Sequence, residues 1–571
     1  MTPIGRFSLK TETPTNPSVP TLFLALSGPA TSSTSSTTSS TNSSSTSNPL
    51  TLSELSHQWT TVAQIPTKHA RFHSRIRNQT HFEPLLPQRT HTTQDTMNTF
   101  LSETVPMTLY RRDLQHRIAA FLTTPLDVTN QLWECQLCTQ TLGSSGAIPK
   151  SSLVQLYQDA MEAGTVFSSS NDKLLESILL FRFHHSIGDA VSLVSALGEL
   201  FDEAQEIQDM IRTEIQKRKQ KRQSMSWWRK WWRWIQTLVW FLGGSIQALL
   251  RHGYLIVTTR RNPFLQVVGC DTVEEARIVV GSGGNSGEMN MGRSISWCNV
   301  ASVEEVKRIA KAIGPKVTIN DVFVSCVSAA IVRQLQHHRK QVTSSRAMVV
   351  KGAAHDDDKE DTKDDSDEPE SIPKLNVVIP AHLAGGILPP GREIGNLLGA
   401  FVAQVPGEME HDQKDDTITS SCLATQRLLQ VHSSLYAGKT SPAPLLGYLM
   451  ARFTSQFLPE SWAVYCFNKS NANAAVAVTN GRGYPKKVHM NGRRVETIQG
   501  FLPLPPGLPV GIVVGSYGNV ISLSINAESW AVPDGDEFLG WVVDEYKLLC
   551  KEVALLSNQK QAQDREEMKD P

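Results

Sequence analysis

Apolar positions along the 571-residue chain alternate between two periods. Thr21–Leu26 and Ile178–Phe183 are continuous apolar runs of strand length, and Leu132–Leu137 alternates as a half-buried strand does. Leu52, Leu55, Trp59 and Val62 recur at helical spacing and lead into a basic, strand-like stretch, RFHSRIRNQTHFEPL. Ser151–Ala163 reads as a helix, and so do Val191, Val194, Leu197, Leu200 and Phe201 after the Ile178–Phe183 strand. A second half opens near Pro263. Its predicted elements are a strand at Ser294–Cys298, a Ser-x-x-Glu-capped helix at Ser302–Ala312, and an apolar helix from about Asp321 to Arg339. Then come a strand at Leu375–Pro380, a glycine-rich loop at Gly385–Gly399, and a strand at Ala474–Asn480. A hairpin around Gly518–Asn519 (Val510–Ser516, Val520–Asn526) and a helix at Asp534–Leu555 complete the pattern. Strands alternating with helices in both halves predict an α/β protein of two similar layered domains.

Composition refines this outline. A chain of this length exceeds one ordinary core, so two domains with insertions are expected. Residues 31–48 are a Ser/Thr/Asn tract and 351–371 an acidic run; both are too polar to bury anything and read as disordered surface insertions. The expected division is an N-terminal domain at 1–205, a crossover at 206–262, a C-terminal domain at 263–556 and a polar tail at 557–571.

The crossover is basic and then aromatic. Lys217, Arg218, Lys219, Lys221 and Arg222 precede six tryptophans (227, 228, 231, 232, 234 and 240) interleaved with Arg229, Lys230 and Arg233. Tryptophan favours the headgroup layer, and cations favour anionic lipid. A helix packed on the protein's own surface is the alternative. The apolar part, Trp234–Leu250, reaches roughly 25 Å as a helix, against a hydrocarbon core of about 30 Å. If the flanking halves share one site, a single span would also put them on opposite sides of the bilayer. An in-plane or re-entrant helix over 217–250 is therefore predicted.

Formal net charge is zero, which gives no pull towards nucleic acid. Eight scattered cysteines suit a reducing compartment, and Cys135-x-x-Cys138 lacks a second pair or a histidine at zinc spacing. The opening MTPIGRFSLK has no signal-peptide core, so the expected location is cytosol-facing.

The chemistry concentrates in His184-His185-Ser186-Ile187-Gly188-Asp189, on a strand-to-helix turn with Asp189 at the helix N-cap. Adjacent strand residues point to opposite faces, which argues against both histidines holding one metal, and no metal is expected. A structural turn and a general base both remain. Histidine, with an ordinary pKa of about 6.5, suits proton abstraction near neutrality.

Laid along the chain, these motifs resemble the bifunctional wax ester synthase/acyl-CoA:diacylglycerol acyltransferase family. Glu12–Pro17 resembles its opening segment, and Pro125-Leu126-Asp127 with Leu132-Trp133-Glu134 its PLD…PLWE region, with Gln131 in place of the second proline. The histidine motif resembles HHxxxDG, with Ala190 for the glycine. Asn320-Asp321 resembles the second-half ND motif and Gly395-Asn396 the LGN loop, while Thr479-Asn480-Gly481 sits where SNVPGP is usual.

The resemblance implies two chloramphenicol-acetyltransferase-like domains, each a mixed sheet flanked by helices, with a tunnel at their interface. It implies acyl transfer from acyl-CoA, a co-substrate rather than a bound cofactor, to a long-chain alcohol or diacylglycerol at the endoplasmic reticulum membrane or a lipid droplet. His185 is then the general base, and the acceptor oxygen attacks the thioester without an acyl-enzyme. Asn320 is either an oxyanion donor or a helix N-cap. His184, Gly188, Asp189 and Asp321 are assigned to structure. Three rivals are an acyltransferase for a small soluble alcohol or amine, a peptide-condensation domain and a non-catalytic lipid-binding relative. The DFGWG segment usual in plant-type acyltransferases and any carrier or adenylation module are not found in the sequence.

Overall fold

The computed structural model describes residues 3–12, 17–29, 49–78, 81–85, 100–104, 111–139, 175–223, 226–257, 262–281, 292–353, 374–386, 393–409 and 422–567. The N-terminal elements are α1 (Pro3–Thr11), β1 (Thr21–Pro29), α2 (Leu52–His57), β2 (Ser74–Arg77), β3 (His81–Pro84), β4 (Leu101–Glu103), α3 (Arg111–Thr123), β5 (Trp133–Thr139), β6 (Leu175–Phe183) and α4 (Ala190–Leu197). Two helices form the crossover, α5 (Ala204–Gln223) and α6 (Trp227–Val257). The second half holds β7 (Arg293–Ser302), α7 (Val303–Ile313), α8 (Ile319–Ala353), β8 (Lys374–His382), β9 (Leu398–Pro406), α9 (Leu423–Thr440), α10 (Ala443–Phe457) and α11 (Glu460–Asn471). It ends with β10 (Val476–Arg482), β11 (His489–Met490), β12 (Arg493–Phe501), β13 (Val510–Tyr517), β14 (Val520–Glu528) and α12 (Gly535–Glu567).

Two six-stranded sheets organise the molecule, in the orders β11-β12-β1-β6-β5-β4 and β7-β14-β13-β10-β8-β9. Both are mixed. In the first, β4 and β5 are parallel among antiparallel neighbours; in the second, β10 lies parallel to both β13 and β8. The β13–β14 hairpin turns at Gly518 and Asn519 with φ of 55° and 70°, the left-handed pair that a two-residue turn requires.

The sheets do not divide at residue 263. The chain leaves the second sheet after β10, pairs β12 with β1 from Thr21↔Phe501 to Pro29↔Arg493, and returns as β13. Residues 263–556 are therefore not self-contained. Their strand β12 completes the first sheet, and Val488, Met490 and Val495 sit in the N-terminal core. That core is built on aromatic stacking: Trp133 lies between Trp59, at 4.3 Å, and Phe100, at 5.1 Å, and its indole N–H donates to the Phe72 carbonyl at 2.9 Å. A third cluster, with Phe23, Leu180, Trp297 and Phe501, joins residues of both halves.

Several expected boundaries shift. The helical pattern from Leu52 passes after six α residues into a π turn at Gln58–Val62, and Gln64, with a left-handed φ of 54°, ends it ahead of Pro66. The polar tail continues α12 to Glu567, since its Lys, Gln, Ala and Glu residues are good helix formers. Residues 351–353 end α8; the rest of the acidic run, the 31–48 tract and the Ser151–Ala163 helix lie outside the described residues. Among the described residues no helix is long and apolar enough to cross a membrane.

Candidate active site

β6 and α4 present the histidine motif at the edge of a cavity of about 1390 Å³, larger than the roughly 300–1,000 Å³ of ordinary ligand pockets. Both halves line it: Phe183, His185 and Val194 from the first, and Pro380, His382 and Phe401 from the second.

The two histidines directly follow β6 and bond to opposite sides, His184 N–H to the Leu132 carbonyl at 2.7 Å and His185 N–H to that of Ser18. His184 is fully buried. Its Nδ1 accepts the Ser186 N–H at 3.2 Å, so the proton sits on Nε2, which donates to Glu12 Oε2 at 3.0 Å. The Ser186 hydroxyl donates to the same Nδ1 at 2.7 Å. His185 faces the cavity. Its N–H donates to the Ser18 carbonyl at 2.9 Å, and its carbonyl accepts from Asn396 Nδ2 at 2.8 Å. The ring Nδ1 is buried against the residue's own backbone with no other bonding partner among the described residues, which leaves Nε2 to the cavity. Burial pushes the His185 imidazole below the ordinary histidine pKa; its own carbonyl and the Asp189 charge only partly offset this. The shift favours the neutral ring, the form that accepts a proton.

Asp189 is a brace between the halves. Oδ1 caps α4 by accepting from Ser192 N–H at 2.9 Å, and Oδ2 accepts Leu397 N–H at 2.8 Å. Its own N–H and the Ser192 hydroxyl both donate to the Gly395 carbonyl, at 3.2 and 2.6 Å. Gly188 permits this approach, because a Cβ there would stand 3.0 Å from the Ser192 Cβ and 3.5 Å from Gly395 backbone atoms. Ala190 occupies the first helical position and does not have a positive φ, so the missing signature glycine costs the turn nothing.

Asn320 lies buried in the first turn of α8 and is not among the residues lining the cavity; of its two expected roles, the helix cap falls instead to Thr318. Thr318 caps α8: its hydroxyl accepts Asp321 N–H at 3.4 Å, and Asp321 Oδ2 accepts Thr318 N–H at 2.9 Å. Asp321 is buried and held also by His432 and Lys439 at 2.9 and 2.8 Å. Lys439 does line the cavity.

Sequence reasoning misses three contributors. Glu12, 172 positions from His184, carries no local sign of that contact. Asn396 reads in the sequence only as part of a loop motif, yet its amide clamps the His185 carbonyl. His382 ends β8 at the cavity; its Nδ1 accepts Gly386 N–H at 3.1 Å, and its Nε2 stands 3.7 Å from Asp189 Oδ2. A polar residue ending an apolar strand is the available signal. Elsewhere, burial raises the pKa of both Cys135 and Cys138, which keeps them as thiols, and no cluster able to hold a metal ion occurs among the described residues.

Residues 395–549, from the Asn396 clamp to α12, match the WS/DGAT C-terminal domain. Among curated proteins no sequence matches the chain. Of solved structures, trichothecene 15-O-acetyltransferase from Fusarium sporotrichioides is similar over 96% of this chain and 94% of its own, with 12% identity and a TM-score of 0.55. The wax ester synthase/diacylglycerol acyltransferase from Marinobacter aquaeolei VT8 aligns over 97% and 99%, with 12% identity and a TM-score of 0.48. The fold is that of two-domain, chloramphenicol-acetyltransferase-like enzymes, two curled mixed sheets flanked by helices. The match over residues 395–549 supports the resemblance to the wax ester synthase/diacylglycerol acyltransferase family, carried by the C-terminal part of the chain.

Proposed function

We propose that the protein transfers a long-chain acyl group from acyl-CoA to a lipid hydroxyl, a long-chain alcohol or diacylglycerol, with His185 as general base. The observation that carries this reading is His185 at the wall of a large cavity lined by both halves, where burial favours its neutral ring. Nε2 takes the hydroxyl proton as the acceptor oxygen bonds to the thioester carbonyl carbon. The tetrahedral adduct then collapses, the C–S bond breaks, and the CoA thiolate leaves with the proton that His185 held. Atoms balance without an acyl-enzyme or a bound cofactor. His184, fixed by Glu12, and Asp189, fixed to Leu397, hold the turn that aims His185.

The lipid acceptor and a location on the cytosolic face of the endoplasmic reticulum or a lipid droplet are supported by α6. On it Trp228, Trp232, Val239, Leu242, Ile246 and Leu250 are exposed and spaced three, four or seven apart, a single apolar stripe.

The test supplies detergent-dispersed protein with palmitoyl-CoA and, in parallel, hexadecanol, diacylglycerol or a phenolic alcohol. Free CoA and ester are measured for wild type and His185→Ala. Ester from a lipid acceptor, lost in the variant, is expected. Full synthesis by His185→Ala overturns the base assignment. Turnover of the phenolic alone favours a soluble acceptor, and inertness with every acceptor favours a binding protein. For attachment, serine at Trp227, Trp228, Trp231 and Trp232 is expected to release the protein from microsomes; unchanged pelleting overturns the interfacial role of α6.

A further inference from the structure

Helix α10 is built inside out. Its buried residues include Thr454 and Ser455, whose hydroxyls donate back to the Met450 and Arg452 carbonyls at 2.9 and 3.1 Å. This is how a helix disposes of hydroxyls that face protein. Leu445, Leu449, Phe453 and Phe457, four apart and therefore on one face, are exposed instead, as is Met450. Helix α11 continues the surface with Trp462 and Tyr465, 64% and 63% exposed, beside Phe457 at 70%. Single exposed apolar residues are ordinary, but a contiguous set of this size marks a contact surface.

Three observations identify what contacts it. First, α10 adjoins the tryptophan helix: a Cβ on Gly244 of α6 would stand 2.6 Å from Pro442, just ahead of α10. Second, the cavity reaches this surface. Met450 and Phe453 are both exposed and cavity-lining, and Gly244 and Gln247 of α6 line the same cavity. Third, the charge is one-sided. Neither α6 nor α10 contains an acidic residue, while Arg229 and Arg452 are exposed on them; in α11 Glu460 is offset by Lys469.

We infer that α10 and α11 form, with α6, a two-part docking surface for an anionic phospholipid bilayer, and that the acyltransferase cavity opens into the lipid at the Met450–Phe453 rim. An acceptor that never leaves the bilayer then reaches His185 laterally. The inference rests on the lipid-acceptor reading for its purpose, and on the surface itself for its existence.

The experiment floats the full-length chain with vesicles of phosphatidylcholine, with and without phosphatidylserine. Wild type is compared with Phe457→Ser/Trp462→Ser/Tyr465→Ser, three residues that do not line the cavity. Wild type is expected to bind the anionic vesicles more tightly. The variant is expected to partition at least about tenfold more weakly, because three interfacial side chains are lost. It should also lose acyl transfer to vesicle-borne diacylglycerol while keeping transfer to a short-chain alcohol in solution. Circular dichroism melts confirm the fold; if the triple variant is unfolded, Phe457→Ser alone is carried through the same assays, with a smaller loss expected. Unchanged flotation of the variant, or no flotation of wild type, overturns the proposal. So does a loss of self-association on sedimentation with flotation unchanged, which assigns the face to a second copy. If flotation falls in the variant but neither protein makes ester, the docking surface stands and the acyl-transfer reading fails.

Discussion

The carboxylate of Asp189 accepts the Leu397 N–H at 2.8 Å, joining positions 208 residues apart across the two halves of the site. This is more than a helix cap. Asp189→Asn keeps an acceptor for Ser192 but can present its NH2 to Leu397, donor against donor. We predict a loss of about 1–3 kcal/mol, the usual cost of an unsatisfied buried polar group. Chemical denaturation reads the stability. In the acyl-transfer assay kcat should fall more than KM rises, because the loop that holds Asn396 against His185 loosens. Wild-type kcat in a folded variant counts against the brace.

The pH dependence of acyl transfer follows from the His185 environment. Burial lowers its pKa, so the basic form persists below the ordinary value. The acid limb of kcat/KM is predicted to break below about pH 6.5. The sign for stability follows from the same shift. The unfolded histidine binds its proton more readily than the folded one, so this contribution to stability is present above about pH 6.5 and lost as pH falls through the folded pKa. His185→Gln should reduce kcat by roughly 10²–10⁴. An acid limb at or above the ordinary value contradicts the lowered pKa.

Glu12 is predicted to act through His184. Glu12→Ala leaves the buried Nε2–H without its acceptor, at a cost of about 1–3 kcal/mol. A thermal melt measures that loss. Activity should fall with the pH profile unshifted, since the residue steadies the turn and exchanges no proton with substrate. A displaced acid limb in Glu12→Ala would instead make it part of the titrating unit.

Ala190→Gly restores the family signature and is predicted to gain nothing. The position is exposed and helical, where glycine costs up to about 1 kcal/mol relative to alanine. A variant with raised kcat or raised melting temperature would show that the signature glycine has a use beyond this turn.

Local rules reach much of this. Ile178–Phe183 reads as a strand and Val191–Phe201 as a helix because each period is written in adjacent residues, and the observed ends differ by only a few positions. That His184 and His185 face opposite ways follows from strand alternation; which of them faces the cavity comes only with the family resemblance. What fails is long-range or degenerate. Thr318 and Asn320 are both cap-forming residue types beside one helix start, and only the fold shows that Thr318 caps. Glu12 and Asn396 meet the motif from 172 and 211 positions away, and His382 reaches it from the other half. The outward face of α10 is legible in principle, since Leu445, Leu449, Phe453 and Phe457 repeat by four. A helix of that period ordinarily turns the stripe to its core.

The pairing of β1 with β12 also governs how the polypeptide can be made. Thr21 emerges from the ribosome long before Phe501, its partner in the finished sheet. Until then β1 can pair with β6 alone, and its other edge, Leu22 to Leu26, stays unpaired and open to intermolecular pairing. The nascent first half therefore has reason to be guarded through most of translation. A chain stopped before residue 489 should be degraded by a protease that spares the full-length protein, and a peptide spanning 489–501 added in trans should restore part of its protection.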